Sequence, residues 1–261
     1  MTKAPCFKRT PTFGHATGDR GFSLLEMMLV LAALSVVLGV AVKGMIEMQR
    51  RNTAENSKVD TVQETRDFID QMVRDVHDVG YPPGRVVNNN PACANNPNVA
   101  CGLIQFSPTQ IRYEGDLDGT GTVYQVWMQL LVPQSGNCPC TLQRGVISKA
   151  AALAGAQPTY FAQVNGVLNS GNGAGGSLYA ISLPNGGAAY NVYSTADVFD
   201  AYFNDATQYV NPAGAYACNT VLDCSAIRSL QITANVAPTY TDPTTKTYQV
   251  YSITSKARLN N

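Results

Sequence analysis

The chain has little histidine. Only His15 and His77 carry an imidazole, and no Ser-His-Asp set or glycine-rich phosphate loop accompanies them. A nucleophile paired with a base therefore finds no support. Excess positive charge is also missing: Lys+Arg and Asp+Glu number 18 each, for a net charge of +0. A basic face is the electrostatic footprint of nucleic-acid binding, and this balance does not suggest one. The cysteines are not spaced as Cys-x2-Cys pairs, which argues against structural zinc.

A further scarcity organises the chain. Residues 22–42 contain no proline and a single charge, Glu26. About 20 apolar residues in a helix span a bilayer, so this run is long enough. A carboxylate within such a span costs roughly 2.5–3.5 kcal/mol on insertion scales and is a functional candidate in need of a partner.

Lys3, Lys8, Arg9 and Arg20 precede the run, so the positive-inside rule puts the N-terminus in the cytoplasm. Secretory signals carry their small cleavage-site residues after the apolar core. Here the small residue, Gly21, comes before it. A cut after Gly21 leaves the helix on the mature protein with Phe22 at its start. The new ammonium could then pair with Glu26 of a neighbouring copy or of its own first turn.

The segment Gly21-Phe22-Ser23-Leu24-Leu25-Glu26 resembles the type III signal of type IV pilins and type II secretion pseudopilins. The resemblance covers residues 15–50, with Ser23 in place of the commoner threonine. It implies a membrane peptidase that cuts after Gly21 and methylates Phe22. It also implies a structural role in a filament, with other pilins or pseudopilins, prepilin peptidase, the inner-membrane assembly platform and lipid as partners. The closing residues 252–261, with Arg258-Leu259-Asn260, are similar to the last strand of PilW-type minor pilins and J-type minor pseudopilins.

Removal of residues 1–21 takes away four basic side chains, Asp19 and Cys6, leaving three acids in excess and six cysteines. Cys93, Cys101, Cys138, Cys140, Cys218 and Cys224 are an even set in an exported domain, as a disulfide framework requires. Short loops favour Cys93–Cys101 and Cys218–Cys224. Cys138 and Cys140, flanking Pro139, either close a small ring or pair elsewhere.

Apolar residues continue at helical spacing through Met45, Met48, Val59, Val62, Phe68, Ile69, Met72, Val73, Val76 and Val79. Charges fill the other faces, and Gly80-Tyr81-Pro82-Pro83-Gly84 stops the pattern. One helix over 22–79 is expected, about 87 Å long at about 1.5 Å per residue. Gly39 and Gly44 either loosen it or admit close helix packing. Strands are expected at 103–107, 110–114, 122–132, 178–183, 189–193, 198–203, 227–236 and 247–259, the last two as an antiparallel hairpin. Loops are expected at 88–100, 133–145 and 165–177, and a short helix at 150–156.

Asp116, Asp118 and Thr120 alternate as in the opening of a calcium loop. The EF-hand pattern is read as not completed, with a glycine at the fourth place and Trp127 instead of glutamate at the twelfth. The same residues also make a hairpin turn. Tyr160, Phe161, Tyr190, Tyr193, Phe199, Tyr202 and Phe203 make the middle aromatic, as strand core or as an adhesive surface.

The expected fold is α+β and pilin-like: a long N-terminal helix on an antiparallel sheet, with disulfide-tied loops. The segments are a leader at 1–21, a membrane or filament-core helix at 22–43, its amphipathic half at 44–80 and a β-rich head at 81–261. The expected function is a non-enzymatic minor pilin acting in pilus assembly, priming or at the tip. A minor pseudopilin of type II secretion is the alternative, and a membrane-anchored hydrolase a remoter one. The protein is expected in the inner membrane with its head periplasmic, then in the filament. Calcium is the only cofactor entertained, and no nucleic acid is.

Overall fold

The computed structural model describes residues 23–80, 91–131, 133, 137–169, 180–181, 196–203, 208–209, 224 and 227–259. The chain divides into two units, Met1–Gln49 and Arg50–Asn261. Helix α1 covers Leu24–His77. Its first half is rich in alanine, leucine and methionine, which lose little freedom in a helix. Within the first unit its side chains are almost all exposed: Leu24 is 77% accessible and Leu38 55%. Such a surface is unstable in water and suits lipid or the packed core of an assembly.

In the second unit α1 buries Ala54, Lys58, Thr61, Thr65, Phe68, Ile69, Met72 and Val76. These recur every three or four residues and form one stripe. The stripe starts polar, contrary to the apolar pattern expected from sequence: Val59 is 59% exposed, while Thr65 is fully buried. Local bonds make this tolerable. Thr61 and Thr65 hydroxyls donate to the carbonyls of Ser57 and Thr61, each at 2.7 Å. Lys58 Nζ reaches Glu55 at 2.7 Å and Asp242 at 3.6 Å.

The helix ends two residues before the expected 79. Val79 leaves it to bridge Gly115, and Gly80 N donates to Glu114 O at 2.9 Å. Gly80 supplies the left-handed turn, with φ 80°. A Cβ at Gly115 would collide with the Asp78 carbonyl oxygen, so this crossing needs glycine.

One sheet holds nine strands: β1 Leu103–Phe106, β2 Gln110–Gly115, β3 Tyr124–Leu131, β5 Cys140–Ser148, β6 Thr159–Val167, β10 Ser229–Val236, β8 Phe199–Tyr202 and β9 Gln208–Tyr209 in that spatial order, with β11 Tyr251–Arg258 also on β10. Every pairing in it is antiparallel. β10 and β11 form the expected C-terminal hairpin, in register from Ser229↔Arg258 to Val236↔Tyr251. The α+β architecture is therefore as expected, a long helix on an antiparallel sheet. Short β4 Asn137–Cys138 and β7 Ala180–Ile181 pair in parallel. α2 is Pro91–Ala94 and α3 is Lys149–Leu153, capped by the Ser148 hydroxyl.

Two further expectations are corrected. The loop expected at 133–145 is strand from Cys140 onward, and a strand at 159–167 runs into the glycine-rich stretch expected to be a loop from 165. β6 buries Val164 and Val167, but its apolar residues do not alternate; its pairing with β5 makes it a strand. The strand expected at 189–193 lies outside the described residues.

The core joins Phe68, Ile69, Met72 and Val76 of α1 to Ile111, Tyr113, Val126, Met128 and Leu142 of the sheet. Burial at about 25 cal/mol per Å² of apolar surface is its main driving force. A buried polar tie crosses the helix–sheet contact: Arg144 Nη2 and Nε reach Asp75 Oδ2 at 2.7 and 3.0 Å, and the Tyr113 hydroxyl donates to the same oxygen at 3.0 Å.

Candidate functional site

Glu26 lies in the first turn of α1, on a fully exposed stretch, and is the sole acid among its first 23 residues. A carboxylate there complements the helix macrodipole. Met27 N donates to Ser23 O at 3.1 Å, so the helix is closed from its first described residue. Gly21 and Phe22 lie outside the described residues. Among the described residues α1 is the one helix long and apolar enough to cross a membrane.

Residues 17–42 match the family model described as the prokaryotic N-terminal methylation motif. The N-terminus is pilin-like. The matched range contains Gly21, Phe22 and Glu26, and it indicates a type IV pilin- or pseudopilin-like protein. A single apolar helix carrying this motif fits a membrane-anchored pilin and points to a structural role. No curated protein and no solved structure matches the chain.

The pilin-like helix leads into a head braced by disulfides. Cys93–Cys101 and Cys138–Cys140 are both formed, with Cα separations of 5.7 and 4.4 Å. The small ring around Pro139 is thus closed rather than paired elsewhere. Cys224 is disulfide-bonded, and Cys218 lies outside the described residues.

Under the Cys93–Cys101 loop is a network that no motif announced. Lys149 Nζ, with its residue 0% exposed, donates to Cys93 O at 2.9 Å, Val99 O at 2.8 Å and Glu114 Oε2 at 2.6 Å. With Cys101 Sγ also at 3.3 Å, its three protons are fully met, which satisfies an ammonium. Glu114 Oε2 also accepts from Cys101 N at 2.9 Å, and its Oε1 accepts from Gln125 Nε2 at 2.8 Å. Gln125 Oε1 accepts from Trp127 Nε1 at 3.1 Å. Cys93, Cys101 and Glu114 cluster closely enough for a metal, but both sulfurs are spent on a disulfide and the carboxylate on Lys149. A lysine within an alanine-rich stretch gave no sign of this role.

Asp116, Asp118 and Thr120 are brought together in the β2–β3 turn. Asp118 Oδ1 accepts from Thr120 N at 3.1 Å and from Thr120 Oγ1 at 2.7 Å; its Oδ2 accepts from the Tyr124 hydroxyl at 3.0 Å. These donors, the Thr120 hydroxyl first, hold the Asp118 carboxyl below its usual value. Asp116 Oδ2 accepts from Gly121 N at 2.8 Å. Its Oδ1 is buried with no hydrogen-bond partner. Gly119 and Gly121 take φ of 68° and 84°, and Gly121 falls at the sixth place from Asp116, where calcium loops turn sharply. The donor set is all oxygen, as calcium prefers.

The aromatic residues disperse. Phe199 is core, and Tyr202 donates its hydroxyl to Gln231 at 3.2 Å under Lys256 Nζ, 3.7 Å from its ring. Phe161 is exposed, and Tyr190 and Tyr193 lie outside the described residues. They do not form one adhesive surface among the described residues. A groove beside α1 contains Asp60, Glu64, Asn165 and Tyr240. Burial raises the Glu64 carboxyl above its usual range, but no histidine or cysteine lines the groove.

Proposed function

We propose that this protein is a minor pilin of a type IV pilus, inserted into the filament through α1 and acting in assembly, priming or at the tip. The observation that carries this is the methylation motif over residues 17–42, on a helix whose exposed apolar first 23 residues hold one acid, Glu26. Prepilin peptidase would cut between Gly21 and Phe22 and methylate Phe22. The inner-membrane anchor would hold the head in the periplasm until the assembly platform passes the subunit to its neighbours. A disulfide-braced head suits that oxidising space.

The pairing chemistry follows from the medium. In lipid Glu26 is costly unless paired, and cleavage creates an ammonium at Phe22. A neighbour's terminus would neutralise both charges in a low dielectric. The pair would then set register, since a slip of one turn leaves both unmatched.

The test is a deletion strain examined for surface pili and for secreted enzymes. Loss of pili with normal secretion, and recovery of the protein in sheared filaments starting at N-methylated Phe22, is expected. Normal pili with failed secretion would move the assignment to a minor pseudopilin, which the C-terminal strand also resembles. A chain starting at Met1, or cut beyond Val42, would overturn both.

We also propose a calcium ion for Asp116, Asp118 and Thr120. The unpartnered, buried Asp116 Oδ1 supports it, because an uncompensated buried carboxylate oxygen is costly.

A further inference from the structure

Register places four side-chain positions in one row on the sheet face opposite α1. Arg112 pairs with Trp127, Trp127 with Gly145, and Gly145 with Tyr160. Directly opposed residues share a face. The neighbouring rows carry Ile111, Met128 and Arg144 toward α1, where Arg144 meets Asp75. On the outer face the Arg112 guanidinium carbon sits 3.4 Å from the centroid of the Trp127 ring, a cation–π stack.

That stack is held from below. Trp127 Nε1 donates to Gln125, and Gln125 donates to Glu114 within the Lys149 network. From the side, a Cβ at Gly145 would meet Pro158 and Tyr160, so the absence of a side chain there lets both close over the row. The Tyr160 ring lies 6.4 Å from that of Trp127, tilted by 59°.

Arg112 is thus fixed in place with its donors unused. Its Nε is buried with no hydrogen-bond partner, and no carboxylate reaches its guanidinium among the described residues. Burial lowers its pKa from the ordinary value, as expected of a cation lacking a counter-charge. The row beside it pairs Gln110, Gln129 and Gln143. Gln110 Nε2 reaches Gln129 Oε1 at 3.4 Å, which leaves the Gln129 amide nitrogen and the Gln143 amide without a described partner. Arg112, Gln129, Gln143 and Tyr160 are all half-exposed.

We propose that this shelf binds an acidic saccharide, its carboxylate on the Arg112 guanidinium and its hydroxyls on Gln129 and Gln143. A guanidinium takes a carboxylate bidentately. Amides both donate and accept, which suits hydroxyl groups. The Tyr160 ring adds a flat apolar edge for a sugar face. A bare anion would use Arg112 and leave the amide row idle.

The chain has one tryptophan, so its emission reports on the ring beneath Arg112. Full-length protein in detergent is titrated with a galacturonic acid tetramer, with the neutral galactose tetramer, and with inorganic phosphate. The expected result is a saturable change with the acidic tetramer, and binding at least about tenfold weaker for the two controls and for Arg112→Gln, in line with loss of a charged hydrogen bond. Arg112→Lys should lose several-fold, since it keeps the charge without the planar fork. Gln143→Ala, at the shelf rim, should also lose several-fold with an unchanged near-ultraviolet dichroism spectrum, and it serves if Arg112→Gln does not fold. Equal binding by wild type and by a folded Arg112→Gln or Gln143→Ala protein overturns the proposal. So does equal binding of the neutral tetramer or phosphate, or no response at millimolar acidic tetramer.

Discussion

Arg144 Nη2 lies 2.7 Å from Asp75 Oδ2, and the two residues are 69 positions apart. This pair fastens α1 to β5. Both side chains are mostly buried, at 15% and 13% exposure. Breaking a buried pair costs about 3–5 kcal/mol, and the residual exposure brings the expectation here to about 2–3 kcal/mol for Arg144→Met. Asp75→Asn should cost a similar amount, and the double variant less than their sum. Denaturant unfolding of all four proteins checks this, and strict additivity would show that the pair is not coupled.

The Tyr113 hydroxyl completes that contact and gives it a pH dependence. Burial, then the Asp75 charge, pushes the Tyr113 pKa well above its ordinary 10.0. The folded pKa is raised, so the stability it represents is full below about pH 10 and declines as pH rises beyond the unfolded value. Melting temperatures measured from pH 8 to 11 should fall at the alkaline end. Tyr113→Phe should melt lower at pH 8 and show a shallower alkaline decline. An unchanged slope would remove Tyr113 as its source.

Lys149 is expected to be the most sensitive charge in the head. Lys149→Met strands Glu114 without its counter-charge and should cost about 3–5 kcal/mol. Lys149→Met with Glu114→Gln should recover part of it, since the double change removes both charges. Thermal unfolding of the unreduced proteins measures both. A Lys149→Met loss below about 1 kcal/mol, the scale of an exposed pair, would contradict the buried network.

Calcium at Asp116 and Asp118 should raise the melting temperature of the full-length protein by mass action, at millimolar concentration. Asp118→Ala should abolish the rise, because it removes a ligand that Asp116 alone cannot replace. Magnesium should raise it less, since the smaller ion demands stricter geometry. An equal rise in the variant would return the loop to an ordinary hairpin turn.

Glu26→Val should leave cleavage and membrane insertion intact yet lower incorporation into filaments. Glu26→Asp should be intermediate, keeping the charge on a shorter arm. Immunoblots of sheared filaments against membrane fractions give the ratio. Normal incorporation of Glu26→Val would refute charge pairing, since valine cannot answer an ammonium.

Much of this was legible in the sequence because its causes are local. Residues 22–42 declare a lipid- or filament-facing helix by lacking charge, and Gly80 with the prolines beyond it marks where that helix must stop. The alternating apolar residues of 227–236 and 247–259 declare a hairpin, which β10 and β11 form. The pairing of Cys93 with Cys101 followed from a short loop.

Tertiary structure alone decided the rest, because its causes are distant in sequence. β6 has apolar residues at 160, 161, 162, 164 and 167 that do not alternate, and it is a strand because β5 offers it hydrogen bonds. Lys149 is buried because Glu114 and two carbonyls 50 and 56 residues away meet its three protons. Thr65 rather than Val59 packs inward, since the sheet's position fixes which stripe of α1 is covered and Thr61 O takes the Thr65 proton. Arg112 stands over Trp127 because strand register puts them opposite one another. Local sequence dictates hydrophobic run, stop and turn; which polar groups share a buried space depends on how the strands align.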